Sequence, residues 1–337
     1  MTNERRSPVV SRMAHGAACC LLLAPSPATA GNEGSGPWAA GSDLLAAPGD
    51  EAGPRARFTL SREGGGLAVR LEHQGRVIDA ALPPEHAKFQ LPLGDRARLR
   101  DPWATFRELA QRKPLATLGW NLWDGRPTPV RASASGIVLS RRTDPAHGPV
   151  VEIDHGSGIR TRYVLNRFGT SSVAPGVRVS AGDPIGTLGL GLPDDIPFVH
   201  VEILLDTGDG RLVALDPAPF FFTTAGNRAL PFASSVLNAA VRAKDQGQAS
   251  RLLGLGLDPN GKAVDGTRPL EWSVMMRDPG MIRLLVAAGG NKELKTAEDV
   301  GTLLEGGGPT IANTGPSIAE SAQETGDPEV ISALEGR

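Results

Sequence analysis

The chain has 337 residues, with 35 Lys+Arg against 37 Asp+Glu and 40% hydrophobic residues. That length predicts two or three domains, and a net charge of −2 provides no basic field for a phosphate backbone, which argues against a nucleic-acid partner. With 42 Gly and 28 Pro, the composition favours turn-rich β structure and linkers over a helical bundle, and no run of 18 apolar residues marks a multi-span membrane protein.

Residues 1–30 read as a secretory signal peptide. Arg5, Arg6 and Arg12 form a positive n-region, Ala14 to Leu23 an apolar h-region, and Ala28-Thr29-Ala30 a small-residue cleavage site. Cleavage after Ala30 removes both cysteines, Cys19 and Cys20, so the mature chain is expected to fold without disulfides in a periplasmic or secreted setting, with no membrane span. Residues 31–54, rich in Gly, Ala, Ser and Pro, predict a flexible linker. Residues 55–112 form an N-terminal β-rich segment. There Phe58/Leu60, Leu67/Val69/Leu71 and Val77/Ile78 mark short strands, joined by turns at Gly64-Gly65-Gly66 and Gln74-Gly75. One short helix is predicted over Asp101 to Gln111, with Asp101 as N-cap and Pro102 at its first position.

From Pro129 to Phe222 the pattern is of strands separated by Gly turns. The runs begin at Gly136, Val150, Gly158, Val177, Pro184 and Phe198, and period-two alternation predicts an antiparallel sandwich or barrel. After Ala225 the signal becomes helical and repetitive. Leu237, Val241, Gly247, Leu252 and Gly256 recur 33 residues later as Leu270, Val274, Gly280, Leu285 and Gly289. Gly266-Thr267-Arg268-Pro269-Leu270 supplies a turn and helix start, and Gly256-Leu257-Asp258-Pro259-Asn260 and Gly289-Gly290-Asn291 supply closing loops. A looser third copy ends with Asp327-Pro328-Glu329-Val330-Ile331-Ser332-Ala333-Leu334, which echoes the segment from Asp278 at a spacing of 49 and implies an insertion near Leu303 to Ala312. Residues 232–337 thus resemble ankyrin repeats, a resemblance that implies stacked helix pairs offering a surface to a protein partner.

The β segment, residues 113–224, resembles the lysostaphin/LytM-type zinc endopeptidases of peptidoglycan. Thr128 to Val138, Val151 to Gly158, Val173 to Gly186, His200-Val201-Glu202-Ile203 and Leu215-Asp216-Pro217 match in the family's order. The resemblance implies a duplicated-hybrid-motif β fold with zinc held by an HxxxD pair and the second His of an HxH. Zinc with three protein ligands lowers the pKa of a bound water and polarises the scissile carbonyl. Carried onto this chain, the first His position is Thr117 and the Asp position is Asn121. The HxH reads Phe198-Val199-His200, and the further catalytic His position is Leu165. His200 is therefore the single retained ligand position, and no catalytic residue is assigned. Trp120, Trp123, Asn121 and Phe198 are candidate contacts along the old substrate groove.

The expected fold class is multidomain α+β, an all-β LytM-like domain followed by an α-helical ankyrin-like repeat domain. The expected function is an exported cell-envelope protein with a catalytically degenerate peptidase-like domain, acting as a binding or regulatory module. Its expected partner is an envelope protein reached through the repeats, with peptidoglycan as a further ligand and no cofactor. The alternatives are an active zinc endopeptidase with an atypical ligand set, and a carbohydrate-binding module built on an exposed Trp120 and Trp123.

Overall fold

The computed structural model describes residues 40–48, 56–62, 64–73, 75–94, 97–99, 119–123, 128–144, 148–166, 168–189, 198–299 and 311–336. The stretch expected to be a signal peptide, residues 1–30, and the helix expected over Asp101 to Gln111 lie outside the described residues. So do Thr117 and most of the insertion expected near Leu303.

The strands, in chain order, are β1 (Ala40–Pro48), β2 (Ala56–Ser61), β3 (Leu67–His73), β4 (Arg76–Leu82), β5 (Arg98–Leu99), β6 (Gly119–Trp123), β7 (Pro129–Arg131) and β8 (Gly136–Asp144). They continue with β9 (Gly148–Gly156), β10 (Ile159–Leu165), β11 (Thr170–Ser171), β12 (Arg178–Val179), β13 (Pro184–Thr187), β14 (Val199–Asp206) and β15 (Leu212–Leu215). One antiparallel sheet runs β12-β8-β9-β10-β14-β15-β1-β2-β3-β4. Strand β6 pairs with the first half of β14, over Val199 to Glu202, and β15 with its second half, over Ile203 to Asp206. A smaller sheet, β11-β13-β7, lies beside it. The linker expected over residues 31–54 is corrected in part, because β1 runs between β15 and β2 with Leu44 opposite Phe58 and Ala46 opposite Leu215. The Gly and Ser count of that stretch obscured the apolar run Leu44 to Ala47, which suits a strand.

Period-two alternation decides which face each strand buries. β10 alternates strictly, with Ile159, Thr161, Tyr163 and Leu165 inside, against Val151 and Ile153 of β9 and Val201 and Ile203 of β14. The hydroxyl of Tyr163 has no access to water, and it accepts from the Ser133 backbone N–H at 2.7 Å. An aromatic cluster of Phe58, Phe89, Phe220 and Phe221 extends this core towards the N-terminal strands.

Among the described residues eight helices follow the sheet: α1 (Ala218–Phe221), α2 (Ala225–Arg228), α3 (Pro231–Arg242), α4 (Gln246–Gly254), α5 (Pro269–Met275), α6 (Pro279–Ala287), α7 (Ile318–Glu324) and α8 (Pro328–Leu334). The last six form three helix pairs. The first helices stack α3 on α5 on α7, and the second helices stack α4 on α6 on α8. All six residues that recur at 33-residue spacing as leucine or valine, Leu237/Leu270, Val241/Val274 and Leu252/Leu285, are buried between them.

Each pair uses the same local devices. A residue of positive φ (Lys244, Arg277 or Gly326) turns the chain into an Asp N-cap (Asp245, Asp278 or Asp327), whose carboxylate accepts an N–H of the first turn. A glycine of positive φ (Gly256, Gly289 or Gly336) then closes each second helix. Asn260 clips neighbouring loops, donating to the Gly289 carbonyl at 2.9 Å and accepting from the Asn291 N–H at 2.7 Å.

The array is joined to the sheet by side chains of both. Trp120 of β6 packs on Phe221, Phe222 and, from α3, Phe232, with ring centroids 5.2 to 5.6 Å apart. Asp216 is buried at the same junction, accepting from Ala218 N–H at 2.9 Å and from the Gln248 amide of α4 at 3.5 Å. Burial pushes its carboxyl pKa up.

Candidate functional site

Directly opposed residues of antiparallel strands share a face. In β14, Glu202 stands opposite Arg162 on one side and Gly119 on the other, while His200 stands opposite Val164 and Asn121. Arg162 in turn stands opposite Glu152 of β9. His200, Glu202, Arg162 and Glu152 therefore share the polar face of the sheet, against which Gly119 is set. Trp120, Val201, Tyr163 and Val151 share the apolar one.

The polar row is a connected network. His200 Nε2 lies 3.2 Å from Glu202 Oε1, and Arg162 Nη1 donates to Glu202 Oε2 at 2.9 Å. Arg162 Nε also donates to Glu152 Oε1 at 2.7 Å. Glu202 is almost wholly buried. Burial alone would raise its carboxyl pKa, but the hydrogen bond and charge of His200, with the charge and hydrogen bond of Arg162, outweigh it and hold the group below the usual carboxylate range. For Arg162, burial works to lower the guanidinium pKa, and its two carboxylate partners reverse that. β14 is buried on both faces because this network covers one of them.

Gly119 is required by a close approach. A Cβ there would fall 2.6 Å from His200 Cε1 and 2.7 Å from Nε2, so the imidazole occupies the space that any side chain would need.

The resemblance assigned ligand positions to Thr117, Asn121 and His200. Thr117 lies outside the described residues. The β6–β14 register sets Asn121 directly opposite His200, so the two strands keep those two positions side by side. Phe198, just ahead of β14, and Trp123 are half-buried. Leu165, at the further His position, is buried on the apolar face with Tyr163.

Trp120 departs from the expected groove contact. It is 8% exposed and lies on the apolar face, held by Phe221, Phe222 and Phe232. Register explains the change: Trp120 stands opposite Val201, which is on the apolar face. A sugar-stacking platform that uses Trp120 is thereby removed.

The donor set does not fit a tetrahedral zinc centre. Among the described residues no three His, Cys, Asp or Glu side chains converge to hold a metal ion. His200 is engaged by Glu202, and Glu202 is held by Arg162. His155, the buried histidine of the Asp-His-Gly turn, has a structural role. Its Nδ1 lies 2.7 Å from the Ser135 carbonyl and its Nε2 2.9 Å from Thr161 Oγ1. Burial lowers its pKa to about 4, so the ring is neutral, with Nδ1–H donating and Nε2 accepting.

Sequence reasoning did not single out Glu202, Arg162, Glu152 or Gly119. A signal was present, since charged residues sit at alternate positions within otherwise apolar strands (Glu152/Asp154, Arg160/Arg162), but only the pairing register brings them together.

Residues 118–213 match the model described as Peptidase family M23. The chain thus carries an M23, LytM-type domain within a longer sequence. Among individual proteins, it is similar to Stage II sporulation protein Q of Bacillus subtilis (strain 168), 36% identical over 99 residues, or 29% of this chain and 32% of that one. The chain therefore spans about a third of the length of this curated relative. Among solved structures it is similar to the antimicrobial peptidase lysostaphin from Staphylococcus simulans, with 19% identity, a TM-score of 0.31, and coverage of 40% of this chain and 53% of that one. It is also similar to a zinc containing peptidase from Vibrio cholerae, with 18% identity, a TM-score of 0.31, and coverage of 47% and 55%.

Proposed function

We propose that this protein is an exported cell-envelope protein whose M23-type domain has lost peptidase chemistry and serves as a binding or regulatory module. The observation that carries the reading is the state of His200. Its Nε2 meets Glu202 at 3.2 Å, inside an ion network closed by Arg162. The neighbouring family positions are filled by Asn121, Phe198 and Leu165, none of which brings charge or imidazole. A divalent zinc held with useful affinity needs three protein donors, and water activation needs that zinc.

The three stacked helix pairs supply the second half of the proposal. The 33-residue spacing of the first two pairs, the caps shared by all three and their two-row stacking support an ankyrin-like array, an architecture suited to a protein partner. The partner belongs to the envelope, and peptidoglycan is a further ligand of the groove face. The setting is periplasmic or secreted, read from the Arg5-to-Ala30 pattern. No helix among the described residues is long and apolar enough to cross a membrane.

The deciding experiment measures zinc in the purified chain after dialysis against a weak chelator, with hydrolysis of peptidoglycan assayed in parallel. The expected result is substoichiometric zinc and no cleavage, in the wild type and in His200→Ala alike. Cleavage that His200→Ala abolishes would overturn the reading in favour of a peptidase with an atypical ligand set.

A further inference from the structure

Strand β8 lies near one end of the large sheet, and the described residues cover only part of its outer edge. β12 pairs with it at two positions, Arg178 opposite Ile137 and Val179 opposite Gly136. Two further bonds, Val138 N–H to the Val177 carbonyl at 2.9 Å and Gly176 N–H to the Val138 carbonyl at 2.8 Å, extend that cover by one residue. From Leu139 to Asp144, no strand among the described residues lies along the outer side of β8. Such an edge presents a row of backbone donors and acceptors that templates another strand.

Exposed apolar and basic side chains lie along this edge. Ile137, Leu139 and Val177 are 39%, 40% and 44% exposed, on neighbouring stretches of backbone. Arg141, Arg142 and Arg178 flank them and are exposed. Arg142 reaches Glu152 only at 4.0 Å, and Glu152 is already bonded by Arg162. Arg141 and Arg178 have no ion pair among the described residues.

We infer that the β8 edge is an interaction surface that receives an extended, acidic segment of a partner protein as an added antiparallel or parallel strand. Backbone pairing along Leu139 to Asp144 gives affinity. Apolar side chains of the segment cover Ile137, Leu139 and Val177, and its carboxylates meet Arg141 and Arg178. A second copy of this chain is the poorer occupant. Edge-to-edge pairing of two β8 strands would bring the arginines of both copies together, and like charges across strands destabilise pairing. The inference goes beyond the proposed function. It requires neither the loss of zinc ligands nor an ankyrin-like array, and its test measures neither zinc nor hydrolysis.

The test uses the full chain and fluorescence anisotropy with a labelled synthetic octapeptide of alternating Val and Glu. The controls are its Val/Lys counterpart and a Val/Glu peptide whose alternate amides are N-methylated. The wild type should bind the acidic peptide at least about tenfold more tightly than the basic one, with affinity falling as salt rises. Arg141→Glu combined with Arg178→Glu should reverse that preference, and N-methylation should abolish wild-type binding. Equal binding of both charged peptides, or no loss on N-methylation, would overturn the proposal. So would a dimer of the free chain that the charge reversal dissolves. If the double variant fails to fold, the N-methylated peptide still decides the matter on the wild type.

Discussion

In the β domain, buried charge lies at the middle of the sheet. In the helical array, the repeated charged groups are the Asp caps at helix ends. Glu152, Arg162 and Glu202 belong to three adjacent strands and are separated by up to 50 residues of chain, yet their side chains form one network with His200. Asp278 bonds the Met281 N–H at 3.0 Å, three residues away, and Asp245 does the same for Gln248 at 2.9 Å. The first arrangement depends on strand register, so each member is essential to the others. The second is complete within a single turn. Loss of one group should therefore be severe in the sheet and mild in the array, unless the loss in the array is one of packing.

The largest effect is expected from Arg162→Ala. It strands Glu202 and Glu152 without their shared cation in a region that admits little water. Removing one partner of a buried pair costs about 3–5 kcal/mol. Urea unfolding of the wild type and variant measures it. Replacing Arg162 and Glu202 together with apolar residues of similar volume should recover most of the loss, because the penalty comes from the unpaired charge. A double variant as unstable as the single would show that the network holds the sheet by packing instead.

Leu285→Ala tests the array where it is not local. Leu285 is fully buried between stacked second helices, and such truncations cost about 2–5 kcal/mol. Each helix pair covers its apolar face only against its neighbours, so the three should melt together. Regional hydrogen exchange should show lost protection across α3 to α8. The sheet should retain its protection except near Trp120 and Asp216, where the two regions share contacts. Loss confined to α6 would break the view of the array as one cooperative stack.

Acid should separate the two regions by sign. His155 in the β domain has its pKa lowered by burial from 6.5 to about 4. Between those values the unfolded chain binds the proton and the folded chain does not. Its contribution is therefore full above about pH 6.5 and falls as pH drops to about 4, by about 3 kcal/mol in all. Glu202, held below its ordinary range, likewise loses its contribution as pH falls through its folded pKa. Glu271 in the array behaves oppositely. Burial raises its pKa, so its contribution grows as pH falls towards the unfolded value. Exchange rates at pH 7 and pH 5 should show the sheet weakening more than the array. His155→Leu should flatten most of the difference, and an unchanged pH dependence in that variant would assign the acid response elsewhere.

The sequence carried the strands and helices well where each is specified locally. Alternation in Ile159 to Leu165 and in Val150 to Asp154 marks strands. The 33-residue recurrence of Leu252 as Leu285 marks matching helices, and both are core. The β1 strand was hidden by composition, since Gly and Ser counts say nothing of a short apolar run such as Leu44 to Ala47. At the site, His200 and Asn121 were legible because a family pattern gives them fixed spacing. Glu202, Arg162 and Glu152 were not, because their meaning lies in a register that joins distant strands. Trp120 was misplaced for the reverse reason. It stands opposite Val201 and not opposite His200, and one residue along a strand is enough to change face.

The smallest effect sharpens the comparison most. Asp278→Ala removes a side-chain acceptor from the first turn of α6 and leaves its N–H groups to water, which should cost about 1 kcal/mol. Asp327 holds the same place before α8, accepting from Glu329 at 3.0 Å and Val330 at 3.4 Å. The two caps are chemically alike but differ in position. α6 packs between α4 and α8, whereas among the described residues α8 has a row neighbour on one side alone. In a stack governed by neighbour contacts, Asp278→Ala should lower the melting temperature of the whole array, since the central pair cannot open without exposing both flanks. Asp327→Ala should instead increase hydrogen exchange in α7 and α8 alone, with the midpoint for α3 to α6 almost unmoved. Equal shifts from both variants would mean that the array unfolds all-or-none even at its end. In that case its cooperativity would have to come from the junction at Trp120 and Asp216 as well as from the stacked leucines.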